Sequence, residues 1–267
     1  LGQRNDTYLY DEACHASLKD GMRLSNAKRY AFRHNDLSDL KRLLENTTGN
    51  RFIVVESLYS MDGDWCDLRE ISALAKHYGV WIVLDEAHST GIVGKSGGGY
   101  AVEKGIENAV FLRIITFGKA LGRMGAVIAG PRKLRDYLVN RSRAWIYSTA
   151  MPGLLAQSIV DSLQQMQQME AERERLVMLR REMEKALFTD KIATSRLASP
   201  IIPLMVPGNV EAKNFANGLQ TAGFDARAIL APTVATGTER IRIVLHSFNK
   251  VSEVQHLAKT IKKLRES

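Results

Sequence analysis

The stretch WIVLDEAHSTGIVGKSGGG, residues 81–99, contains two nucleotide-enzyme signatures side by side. Asp85-Glu86-Ala87-His88 spells the DEAH box of RNA helicases, and Gly94-Lys95-Ser96 looks like the end of a P-loop. A P-loop needs a glycine five positions before Gly94, between a strand and a helix; Ser89 stands there instead. A helix should also open at once, so that its N-terminus holds the phosphates, yet Gly97-Gly98-Gly99 follows Ser96. The order is wrong too, because a motor's P-loop precedes its DEAH strand. What remains is a buried apolar strand, Trp81–Leu84, that stops at an acid, with Glu86 and Ala87 as turn fillers and residues 91–99 as a flexible loop.

The same pattern recurs on either side. Phe52–Val55 is an apolar run ending at Glu56. A helix is predicted over Leu68–Tyr78 with a stop at Gly79. Val110–Thr116 ends just before Lys119, and Ala126–Ala129 follows. Strands interleaved with helices predict an α/β fold with a mainly parallel sheet covered on both faces. In such sheets ligands bind beyond the carboxyl ends of the strands, where Glu56, Asp85 and Thr116–Lys119 converge. From Pro152 apolar residues recur at helical spacing (Ile159, Val160, Leu163, Met166, then Leu176, Leu179, Met183, Leu187), predicting a long linking helix with its methionines in the core. A small C-terminal α/β domain follows: a run over 201–206, a helix over Ala212–Ala222, a strand over Ile241–Leu245, and a helix with Val254, Leu257, Ile261 and Leu264 on one face. The predicted domains are 1–165 and 166–267.

At 267 residues and 45% apolar the chain can bury a substantial core. No apolar run reaches membrane-spanning length, and no metal-ligand spacing is present. Cys14 and Cys66 are far apart and read as free thiols of a cytoplasmic protein. The net charge of +8 would suit nucleic acid or a polyanionic substrate such as a CoA thioester, but the basic residues are dispersed as on solvated helix faces. No nucleic-acid or membrane partner is expected.

An acid at a strand end can keep a ring nitrogen protonated, and a lysine beyond the next strand can form an imine with an aldehyde. Asp85 and Lys119 together are what pyridoxal 5′-phosphate (PLP) asks of its protein. The words CHASLKDG, ESLYSMDGD, DEAHSTGIVG, TFGKALG and YSTAMP occur in that order, and through them the chain resembles the α-oxoamine synthases from residue 1 to its end. These are fold type I PLP enzymes, homodimers that condense an amino acid with an acyl-CoA or acyl-carrier-protein thioester and release CO2.

The resemblance implies a role for each matching residue. Lys119 would carry PLP and move protons at the substrate carbon. Asp85 would pair with the pyridine nitrogen, or else simply cap the turn after its strand. His88 would hydrogen-bond the ring hydroxyl oxygen, and His15 would lie on the ring face. Ser60 would touch the cofactor, Glu56 would orient neighbours, and Thr116 would bond the phosphate. Thr149, or Ser148, would reach the phosphate bound to a second copy of the chain, with a helix cap before Pro152 as the competing role. Arg242 would bind the amino acid carboxylate in preference to Arg240, two residues away on the same strand face. YSTAMP and APTVATGTERIRI fall nearest the branch that joins L-alanine to a pimeloyl thioester in biotin synthesis; the glycine- and serine-using branches share the earlier words. An N-terminal part of the family pattern, with a phosphate-binding turn, is expected upstream of Leu1.

Overall fold

The computed structural model describes residues 1–187 and 199–266, which fall into two compact units. The first comprises Leu1–Tyr59 and Trp65–Met169; the second comprises Ser60–Asp64 and Glu170–Ser267.

In the first unit the elements run β1 (Thr7–Asp11), α1 (Ala16–Arg23), β2 (Lys28–Phe32), α2 (Leu37–Glu45), β3 (Arg51–Glu56), α3 (Leu68–Tyr78), β4 (Trp81–Asp85), α4 (Tyr100–Lys104), β5 (Leu112–Thr116), β6 (Ala126–Ala129), α5 (Arg132–Arg141), α6 (Arg143–Ile146) and α7 (Gly153–Gln168). The strands form one six-stranded sheet in the order β2-β1-β3-β4-β5-β6. All neighbours are parallel except β5 and β6. The Phe117–Gly125 connection explains the exception, since a parallel crossover needs a dozen or more residues. Central β3 and β4 are buried on both faces, from Phe52 to Glu56 and from Ile82 to Asp85. Their unbroken apolar runs reflect that burial. The helix α3 shows why its boundaries were legible: Asp67 accepts the Glu70 N–H at its start, Lys76 and His77 sit in its last turn, and Gly79 ends it.

The second unit contains α8 (Glu170–Leu187), β7 (Ile201–Met205), α9 (Asn209–Thr221), β8 (Ala228–Ile229), β9 (Arg240–Val244) and α10 (Val251–Glu266), with an antiparallel sheet ordered β7-β9-β8. The expected long helix is two, because α7 and α8 break at Met169, whose backbone (φ −88°, ψ 47°) leaves the helical region. Met166 and Met183 are buried, packing as core. No described helix is long and apolar enough to cross a membrane.

Candidate active site

The parallel register sets Glu56 of β3 directly beside Asp85 of β4, and Asp85 beside Ile114 of β5. Three strand ends therefore meet where the sheet presents its carboxyl edge. Both acids are buried, at 3% and 8% exposure. Asp85 Oδ1 accepts the Ala87 N–H at 2.8 Å, so the acid does cap its turn, and among the described residues no hydrogen bond to its second oxygen is made. Burial pushes the Asp85 carboxyl above its ordinary value, while the Ala87 N–H and the electrostatic influence of Lys119 and His15 pull the other way. Glu56 is raised to about 7, by burial first and the Asp85 charge second, against the His15 backbone N–H and the Lys119 charge.

Lys119 is exposed in the loop that follows β5, and its charge acts on both acids. That loop packs closely on the turn after Asp85. A Cβ on Gly91 (φ +81°) would stand 2.6 Å from Ala120 Cβ, so only glycine permits the approach. His88 lies half-buried on the same turn. His15 is the N-cap of α1, its ring Nδ1 accepting the Ser17 N–H at 3.2 Å, and its own backbone N–H donates to Glu56 Oε1. At the end of β5 the Thr116 hydroxyl is buried with no hydrogen-bond partner. A buried hydroxyl in that state is costly unless something bonds it.

The ring-binding functions fit PLP on these observations: a buried acid with an uncommitted oxygen, an exposed lysine acting on it, and an orphaned hydroxyl on the strand that leads to that lysine.

Two sequence expectations need correction. Glu86 is no filler: it is fully buried, ion-paired with Arg113 of β5, and accepts the Ala101 N–H at 2.9 Å. Nor are residues 91–99 a flexible loop. Gly91 N–H bonds Gly97 O at 2.8 Å, Gly99 N–H bonds Val93 O at 2.9 Å, and Lys95–Gly97 forms a 3-10 turn. Gly99 (φ +93°) closes the loop directly on the ion pair, where a Cβ would meet Glu86 Oε1 at 2.8 Å. The spacing Glu86-to-Arg113 gave no signal of this pairing, because a salt bridge between neighbouring strands has no fixed sequence separation.

Other expected site residues lie elsewhere. Thr149 is exposed between α6 and α7, and α7 starts without a side-chain cap, while the Ser148 hydroxyl bonds Ala144 O. Neither residue caps the helix. Ser60 belongs to the second unit, where its carbonyl accepts from Arg242 at 3.3 Å. Arg240 and Arg242 share one face of β9. Arg240 is buried and committed to Asp62, with further bonds to Thr238 O and Met61 O; Arg242 is half-buried.

The family model of aminotransferase class I and II matches residues 2–261. The chain belongs to this family. A putative 8-amino-7-oxononanoate synthase of Paramagnetospirillum magneticum is 37% identical over 254 residues, covering 94% of this chain and 64% of the relative. One from Bacillus licheniformis is 34% identical over 264 residues, covering 98% and 69%. Among solved structures, a serine palmitoyltransferase of Sphingomonas wittichii matches with a TM-score of 0.93 at 26% identity, over 100% of this chain and 68% of that one. An 8-amino-7-oxononanoate synthase of Francisella tularensis matches with a TM-score of 0.86 at 26% identity, over 100% and 77%. These relatives are α-oxoamine synthases, and the chain is a member of that group with the fold type I architecture. It spans a little under two thirds of the length of the first curated relatives it matches.

Proposed function

We propose that this chain carries the catalytic residues of a PLP-dependent α-oxoamine synthase, joining L-alanine to a pimeloyl thioester, as CoA or carrier protein, to give 8-amino-7-oxononanoate and CO2. The observation that carries the reading is the meeting of Asp85, Glu56, His15 and Lys119 at the carboxyl ends of β3, β4 and β5. PLP, when bound, supplies an electron sink for the charge developed at the substrate α-carbon. Lys119 would hold the cofactor and, once released from it, would move the proton at the substrate α-carbon. Asp85 would keep a proton on the ring nitrogen, a role suited to a buried carboxylate. His88 would donate to the ring oxygen, His15 would cover the ring face, Ser60 would touch the cofactor, and Thr116 would offer its unpaired hydroxyl to the phosphate. Arg242 takes the substrate carboxylate, because Arg240 is spent on Asp62.

A homodimer is part of the proposal. Around Thr149, which would reach the phosphate of a second copy, Trp145, Tyr147 and Leu154 are 66%, 73% and 89% exposed. Large apolar side chains gathered this way favour an interface. The branch assignment rests on the 34–37% identity to oxononanoate synthases, against the higher TM-score to serine palmitoyltransferase. Incubation with PLP, pimeloyl-CoA and each amino acid tests it. Alanine-dependent CoA release, lost in Lys119→Ala, is expected. Release with serine or glycine in its place would move the chain to another branch, and release with none would overturn the activity.

A further inference from the structure

Glu56, which the resemblance left only to orient neighbours, has no step in the chemistry above, yet it is more enclosed than Asp85 beside it. Its Oε1 holds the backbone N–H of His15. The turn between β1 and α1 has other tethers too: Asp11 Oδ1 accepts the Ala13 N–H at 2.8 Å, Asp11 O the Cys14 N–H at 3.0 Å, Phe32 O the Glu12 N–H at 3.0 Å and Glu12 O the Lys19 ammonium at 2.6 Å, while Cys14 Sγ reaches Val54 O at 3.4 Å. Of these and the Glu56 bond, the Glu56 bond is the one that grips the His15 N–H, 41 residues away in sequence. The charges of Asp85, Asp11 and Lys119 act on this carboxyl, it acts in turn on the Cys14 thiol, and the His15 backbone N–H is bonded to it.

We propose that Glu56 is a positioning residue of the PLP site, fixing the His15 backbone at the start of α1 and thereby the ring that covers the cofactor. The proposal rests on the PLP reading and assigns Glu56 no contact with substrate. A buried acceptor is an economical way to hold such a turn. The N-cap backbone N–H of a short helix has no intrahelical partner, and a side-chain oxygen on the neighbouring strand supplies one. Placing that acceptor on β3, at the register of Asp85, ties the histidine to the strand pair that also presents the ring-nitrogen partner.

Two variants separate the grip from the charge. Glu56→Gln keeps an oxygen acceptor, and Glu56→Ala removes it. In the PLP-free chain, amide exchange at His15 is expected to speed by about tenfold or more in Glu56→Ala, the loss of roughly one hydrogen bond, and to stay near wild type in Glu56→Gln. Thermal melts of both variants check the fold. In PLP titrations followed by the visible band, Glu56→Ala is expected to weaken binding about tenfold, His15→Ala to do the same, and the double variant to be no weaker than His15→Ala alone, as for residues acting through one contact. Additive losses, or unchanged exchange at His15 in Glu56→Ala, would overturn the proposal. A wild-type chain with no visible band would instead sink the PLP reading, and the exchange comparison would still decide whether Glu56 holds His15.

Discussion

Asp85 and Glu86 are adjacent in sequence and both buried, and they have opposite electrostatic fates. Glu86 is closed off by Arg113 and by the backbone of residues 98–101. Across the same sheet edge, Glu56 and Asp85 stand side by side, and among the described residues neither is paired with an arginine. Asp62 repeats the first pattern in the second unit, where Arg240 neutralises it. Glu86 and Asp62 are thus each matched with a guanidinium group. Glu56 and Asp85 at the strand ends are left raised in pKa with the Lys119 charge acting on both, as expected where a cationic ligand completes the site.

The largest effect is expected where the matched pair is broken. Arg113→Met should destabilise the chain by about 3–5 kcal/mol, because it strands the buried Glu86 charge; urea melts measure it. A loss under about 1 kcal/mol would erase the distinction between the two acids.

Glu56→Gln should do the reverse, with a pH signature. The Glu56 carboxyl is raised from 4.5 to about 7 in the folded state, so the folded chain keeps a proton that the unfolded chain has already released. Stability therefore falls as pH rises from about 4.5 through about 7, by roughly 1–3 kcal/mol in total. The Gln variant lacks that decline. It should gain on wild type above pH 7 and show no gain below 4.5, in melts taken across that range.

The smallest stability effects separate the two arginines of β9. Arg240→Met should cost about 1–2 kcal/mol through the loss of charged hydrogen bonds, whereas Arg242→Met should change stability by less than about 0.5 kcal/mol while raising KM for the amino acid. The opposite pattern would exchange their roles.

Much of this contrast was legible in the residues, and the reasons differ by element. The helix over Leu68–Tyr78 carries its cap, its charges and its terminal glycine locally, so its boundaries match what the residues predict. The runs ending at Glu56 and Asp85 belong to strands buried on both faces, where continuous apolarity is a strong signal. The first two strands gave no such signal: β2, at the sheet edge, reads KRYAF and is exposed at four of five positions, and β1, TYLYD, though buried between β2 and β3, mixes polar with aromatic residues. Asp85 and Lys119 announced themselves by chemistry and position. The role of Glu86 did not, because its meaning depends on Arg113, a strand away and 27 residues on. The Glu56 grip on His15 is non-local in the same way. Strand register, not sequence spacing, creates it.

The central claim is that the unmatched acids serve a cofactor held by Lys119. The most direct test is titration of the chain with PLP, then borohydride reduction and peptide mapping. The account predicts a visible band that reduces to a single pyridoxyl label on Lys119 and is lost in Lys119→Ala. No band, or a label carried by another lysine such as Lys95, would contradict it.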